Sequence, residues 1–178
     1  GNPIQNAVVD RDGNGEITES DKYLTGKSPM AKVFMGFSSQ FTYKNWDFGF
    51  NMRANFGNYV FNGFAADNTS LNNFANQGFT TNYYKDAGKY GFTQISDIIQ
   101  KSTDLYLENA SFLKMDNITL GYSFNKFFTS RISGRISASV QNVFTITKYT
   151  GLDPECDAID SNVWPRPRSF TIGLNLNF

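Results

Sequence analysis

From residue 10 to residue 21 the chain reads Asp-Arg-Asp-Gly-Asn-Gly-Glu-Ile-Thr-Glu-Ser-Asp, with oxygen-bearing side chains at alternate positions. Asp10, Asp12 and Asn14 stand at positions 1, 3 and 5 of a calcium loop, and Gly15 at position 6 permits the sharp turn that aims them inward. In that pattern Glu16 offers its backbone carbonyl, Thr18 binds directly or through a water, and Asp21 closes the sphere from position 12. Asp21 is a shorter arm than the usual Glu, which weakens bidentate reach, and Ile17 is the hydrophobic anchor after the turn. Hard oxygen donors in this number suit calcium, held in a structural role by an EF-hand-like loop. The other reading of the same residues is an Asx-rich β-turn that binds no metal.

Elsewhere the chain offers little catalytic chemistry. It has no histidine, which removes the commonest general base, the Ser–His and Cys–His pairs and the commonest zinc ligand. Cys156 is the one cysteine and lies in a polar stretch, so it reads as a loop residue without an internal disulfide. No phosphate loop, dinucleotide fingerprint or nucleophile elbow occurs, and none of the carboxylates sits in a glycosidase motif. The expectation is that this is not an enzyme. Sixteen basic residues balance sixteen acidic ones, so nothing points to nucleic acid. Residues 60–106 hold Phe61, Phe64, Phe74, Phe79, Tyr83, Tyr84, Tyr90 and Phe92 among Asn, Gly and Thr. Those rings suit sugar stacking or protein contact, or they pack a small core of the loop's own. Residues 94–101 read as one or two helical turns.

The elements that carry these loops are strands. After Arg168, Phe170, Ile172, Leu174, Leu176 and Phe178 alternate with Ser169, Thr171, Gly173, Asn175 and Asn177, giving one apolar face and one small, polar face. The same alternation recurs around Ile132–Gln141, Asn117–Phe124, Asp47–Gly57 and Val33–Thr42. It predicts strands near 32–43, 47–60, 107–124, 131–147 and 168–178, antiparallel in that order. Short turns follow residues 43 and 124, while long connections occupy 60–106, 148–168 and the stretch before residue 33. Short turns on one side and long loops on the other mark an outer-membrane barrel, with the long segments extracellular.

No run of about 18 apolar residues exists, so a helical span is excluded. Mean hydropathy is −0.40, but a barrel strand shows lipid only every second residue and its average stays polar. A soluble antiparallel sandwich also alternates. Here the apolar face is aromatic, in a chain that is 16% aromatic, and the polar face is Ser, Asn, Gly and Thr where a solvated sheet carries Lys and Glu. Arg53 and Arg135 on that polar face read as partners of carboxylates from strands or a plug outside this chain. Five strands cannot close a barrel, since the smallest has about eight, so the fold expected is all-β: part of a larger antiparallel transmembrane barrel.

Several segments, in order along the chain, resemble the C-terminal region of the SusC/RagA-type TonB-dependent transporters. The Asp-rich loop with Gly26 and Pro29 is similar to that family's "D-x-N-G-D-G-x-I … D", with Asp10-Arg11-Asp12-Gly13 replacing the commoner Asn-Gly order. Tyr43-Lys44-Asn45-Trp46-Asp47 resembles "YK-x-[FW]-D", and 106–115 resembles "[YW]-[IL]-E-[DN]-A-S-F-[LV]-[RK]-[LM]". Residues 141–155 are similar to "Q-N-L-[FL]-T-x-T-x-Y-x-G-x-D-P-E", and 165–170 to "P-x-x-R-[ST]-[FY]". The resemblance implies that residues 1–178 are the C-terminal five strands of a barrel of about 22, with the N-terminal plug absent from this chain. It implies active import of oligosaccharides or peptides across the outer membrane of a Gram-negative bacterium, typically one of the Bacteroidetes. The implied partners are a SusD-like surface lipoprotein and, through the missing N-terminal region, the TonB–ExbB–ExbD motor. A passive outer-membrane porin is the alternative. The terminal Phe178 is similar to the signal read by the outer-membrane insertion machinery.

Overall fold

The computed structural model describes residues 2–69, 89–92, 102–127, 132–161 and 164–177. Its strands are β1 (Val33–Tyr43), β2 (Trp46–Phe56), β3 (Tyr59–Asn62), β4 (Leu107–Asn109), β5 (Phe112–Phe127), β6 (Ile132–Thr147), β7 (Ile159–Asp160) and β8 (Ser169–Asn177), with a short helix α1 (Gly63–Asn68). They fall into two compact units. One comprises 31–57, 110–148 and 165–178, and the other 1–30, 58–109 and 149–164.

The first unit is one antiparallel sheet in the order β1-β2-β5-β6-β8, the order expected from sequence. Residues directly opposite in an antiparallel ladder share a face, so the register fixes what each face carries. Phe41 pairs with Phe48, Phe48 with Leu120, Leu120 with Ala138 and Ala138 with Ile172. One row away Trp46, Tyr122, Ile136 and Leu174 follow one another across four strands. The opposite face runs Gly49, Thr119, Ser139, Thr171 and, beside it, Asn51, Asn117, Gln141, Ser169. Phe170 is 74% exposed, Ile172 83% and Leu174 62%. A water-soluble sheet does not present such a contiguous aromatic wall. In lipid each large side chain on it contributes roughly 1.5–3 kcal/mol of transfer energy.

The polar face satisfies its own charges. Arg135 donates from Nε and Nη2 to the two oxygens of Asp47, at 2.9 and 2.5 Å. The pair passes over Gly121, where an added Cβ would collide with both groups; glycine is what lets it span β5. Arg53 Nε reaches both oxygens of Asp116 at 3.0 and 2.8 Å. From sequence both arginines were expected to meet carboxylates outside the chain; instead both partners lie within this sheet, Asp116 on the strand next to that of Arg53, and Asp47 two strands from Arg135. Asp116 was invisible to alternation because it is the extra residue of a β-bulge, between register pairs Met115–Met52 and Asn117–Asn51. Opposite it on β6 Asn142 adopts φ +52°, and its Nδ2 donates to the Pro167 carbonyl at 2.9 Å.

Two expected strands are shorter than the pattern suggested. The one predicted at 47–60 stops at Phe56, because Gly57 takes φ +82° and turns the backbone out of the ladder. Its N–H is taken by Ser111 Oγ at 2.9 Å. The one predicted at 107–124 starts at Phe112, after the break at Ala110 and Ser111.

Beyond those breaks the chain builds the second unit, so the connection 60–106 is not irregular throughout. There β3 lies between β4, to which it is antiparallel, and β7, to which it is parallel. Asn62 caps α1 by accepting the Ala65 N–H at 2.9 Å. Ala65, Ala66 and Tyr106 form a small core with Phe61 and Leu105 against it. Phe61 meets Tyr106 edge-on at 6.3 Å, and Phe92 is buried beside Tyr90. These loop aromatics therefore pack the loop itself. Phe74, Phe79, Tyr83, Tyr84, the turns at 94–101 and Phe178 lie outside the described residues.

Candidate functional site

The Asp-rich loop begins the second unit. Gly13 and Gly15 both have positive φ, +73° and +87°, which curls the backbone around Asp10. Asp10 accepts the N–H of Gly13 at 2.7 Å and of Gly15 at 2.8 Å. Asp12 accepts the Asn14 N–H at 3.1 Å and its Nδ2 at 2.9 Å, while Asn14 Oδ1 accepts the Glu16 N–H at 2.7 Å. Asp21 folds back from the far end and accepts the N–H of Arg11 and of Thr18, both at 2.7 Å. With Thr18 it forms a capping box on the 3-10 turn Glu19–Asp21.

Three of the six expected ligand residues thus converge. Carboxylate oxygens of Asp10, Asp12 and Asp21 lie within 4.8 Å of one another. Asn14 and Thr18 spend side-chain oxygens on local bonds, Thr18 Oγ1 accepting the Ser20 N–H at 3.2 Å, and Glu16 is exposed. A carboxylate has about four lone-pair sites, so one hydrogen bond per oxygen leaves room for a cation. Hard oxygens on a glycine-kinked loop fit calcium.

The same hydrogen bonds set the loop's acid response. The Gly15 N–H, ahead of the opposing effect of burial and then the Gly13 N–H, holds the Asp10 carboxyl below its ordinary range. The Thr18 and Arg11 N–H groups do the same for Asp21. A depressed carboxyl stabilises the folded loop above its unfolded pKa, about 3.9, and that contribution is lost as pH falls through the lower folded value. Amide exchange at Gly13, Gly15 and Thr18, corrected for intrinsic rate, should stay flat from neutrality to about pH 5 and rise only below about pH 4. A rise already near pH 6 would show that the carboxylates do not hold the loop.

Arg11 also lays its guanidinium over the Tyr23 ring at 3.7 Å, and Tyr23 donates its hydroxyl to Asp104. This chain walls a cavity of about 760 Å³ whose apolar side is Val8, Val9 and Ile17. The expected anchor Ile17 therefore faces this cavity.

A second constellation was not expected from sequence. Asp160 is fully buried, and its Oδ2 accepts the Tyr149 hydroxyl at 3.0 Å and the N–H groups of Leu152 and Asp153 at 3.0 and 3.1 Å. Asn62, equally buried, donates to Glu108 Oε1 at 3.0 Å and Thr150 Oγ1 at 3.2 Å. Glu108 also accepts the Thr150 N–H at 2.9 Å. Burial first, then the charge of Asp160, drives the Tyr149 phenol well above its ordinary range. Burial, with the charges of Asp160 and Asp153, pushes the Cys156 thiol up to about 11, so it is a poor nucleophile at neutral pH. The one local signal was the Asn62 cap before α1.

The motif segments quoted above thus acquire physical jobs: Glu108, Tyr149 and Thr150 tie the second unit together, and Asn142 shapes the sheet. No family model matches the chain. Over its whole length it is 42% identical to the TonB-dependent receptor SusC of Bacteroides thetaiotaomicron. The chain belongs to the SusC/RagA-type TonB-dependent receptors. It is also 28% identical over 96% of its length to the TonB-dependent receptor P3 of Formosa agariphila. It spans 18% of the length of each of these two relatives. Among solved structures it is similar to the RagAB peptide transporter, with a TM-score of 0.68 at 22% identity, over 92% of this chain and 19% of that one. The RagAB peptide importer in its closed-closed state gives the same score over 98% of this chain and 21% of that one. The open five-stranded sheet is accordingly part of an outer-membrane barrel wall.

Proposed function

We propose that the whole protein is a TonB-dependent importer of oligosaccharides or peptides in the outer membrane of a Gram-negative bacterium. In this reading the present chain supplies five strands of the barrel and a folded surface module. The observation that carries it is the sheet itself. One face is continuously apolar and exposed, and the other is small, polar and internally charge-paired, in a chain 42% identical to SusC. A SusD-type lipoprotein at the extracellular mouth, and a TonB-coupled plug from a region outside this chain, complete the assembly. Uptake of labelled oligosaccharide and peptide pools by cells carrying the full-length protein tests it. Uptake should collapse when a protonophore dissipates the proton-motive force; uptake that continues unchanged would favour the passive porin.

A second reading concerns the Asp-rich loop, favoured by the convergence of Asp10, Asp12 and Asp21. It binds calcium as a structural clamp, with Asn14, the Glu16 carbonyl and a water near Thr18 completing the sphere at about 2.3–2.6 Å. Asp12→Ala should abolish calcium heat in titration calorimetry and loosen the loop while leaving barrel insertion unchanged. Wild-type protein that takes up no metal at millimolar calcium would reduce the cluster to a hydrogen-bonded turn.

A further inference from the structure

The entry into β8 combines stiffness with an unused charge. Pro165 and Pro167 bracket Arg166, each fixing its own φ and removing a backbone donor, and each holding the preceding residue extended. Asn142 pins the end of this tract to β6 through the Pro167 carbonyl. Arg168 follows at once. It is exposed and forms no hydrogen bond or ion pair among the described residues, unlike Arg53 and Arg135, each of which holds a carboxylate on the polar face.

Strand alternation, carried one residue beyond the β6–β8 ladder, places Arg168 on the other face. Ser169 pairs with Gln141 on the polar side and Phe170 with Val140 on the apolar side, so the position before Ser169 belongs with Phe170, Ile172, Leu174 and Leu176. From Arg168 to Leu176 the strand advances about 3.3 Å per residue, and at a tilt of about 40° that projects to roughly 20 Å along the membrane normal. A barrel's apolar band is about 25 Å tall. With Leu176 at the far margin, Arg168 lies about 5 Å short of the near one, a gap its aliphatic stem spans along lipid so that the guanidinium reaches the headgroup layer.

We propose that Arg168, positioned by the Pro167–Asn142 contact, binds the phosphate of a phosphorylated glycolipid headgroup in the outer leaflet. A planar guanidinium pairs with phosphate bidentately, and the pinned, proline-stiffened backbone limits the ordering entropy lost on binding. The proposal rests on reading this sheet as membrane wall with the β6–β8 connection extracellular.

The test uses full-length protein extracted in mild detergent, titrated with diphosphorylated lipid A, dephosphorylated lipid A and inorganic phosphate, and read by native mass spectrometry. Wild-type protein should prefer the phosphorylated lipid about tenfold and ignore inorganic phosphate. Arg168→Gln should lose that preference, Arg168→Lys should keep part of it, and Asn142→Ala should weaken it with Arg168 intact. Equal binding of both lipids by the wild type overturns the proposal without any variant having to fold, as does an undiminished preference in Arg168→Gln. Wild-type protein recovered without detergent and binding no lipid at all would instead overturn the membrane reading beneath it.

Discussion

Leu174→Arg should remove most of the protein from the outer membrane, whereas Thr171→Arg, on the other face of the same strand, should leave it there. Leu174 sits in the row Trp46, Tyr122, Ile136, Leu174 and is 62% exposed, so in the barrel its surroundings are lipid. A guanidinium near the bilayer midplane costs about 2–4 kcal/mol. At 1.4 kcal/mol per factor of ten that is roughly a thirty- to thousandfold shift against the inserted state. Thr171 shares its row with Ser139, Thr119 and Gly49, a small-residue surface where water hydrates an added charge. The measurement is the heat-modifiable, folded band in outer-membrane fractions of cells carrying each full-length variant. If Thr171→Arg were lost and Leu174→Arg retained, the two faces would have been assigned the wrong way round.

The faces were legible in the sequence because strand alternation is strict and needs no tertiary information. Phe170, Ile172 and Leu174 against Ser169, Thr171 and Gly173 admit only one division, and β1, β6 and β8 appear within a residue or so of where it placed them. The strand breaks were not legible. Around Gly57 the alternation slips, with Asn58 and Tyr59 each on the wrong parity, but Tyr59 and Val60 still have strand-forming side chains, and periodicity cannot register one backbone angle at +82°. The partners of Arg53 and Arg135 were missed for a related reason. Asp116 counts as polar-face only once the bulge displaces it, and Asp47 reaches Arg135 diagonally across a glycine. In the Asp-rich loop the spacing named six residues, of which Asp10, Asp12 and Asp21 bring their carboxylates together; that much was legible because turn geometry is local there.

The buried carboxylate of the other loop was beyond such reading. Asp153, Glu155, Asp157 and Asp160 form one acidic run, and only the packing of the second unit decides that Asp160 is the one that loses water. Its removal should have the largest effect there. Asp160→Ala takes away the acceptor of three donors: the Tyr149 hydroxyl and the N–H groups of Leu152 and Asp153. A buried donor left unpaired costs about 1–3 kcal/mol. The two backbone groups are only partly buried and can recover water, so the three costs do not simply add; about 2–4 kcal/mol is expected. Asp160→Asn keeps an oxygen near the same place and loses the charge, for roughly 1 kcal/mol, and Tyr149→Phe removes a single bond, for about 0.5–1.5 kcal/mol. The loss should be local. Protection from amide exchange at 149–160 should fall in that order of severity, while the ladder of β6 with β8, held by its own register, exchanges as before. Equal protection in Asp160→Ala and wild type would mean that the loop is held by something other than this carboxylate.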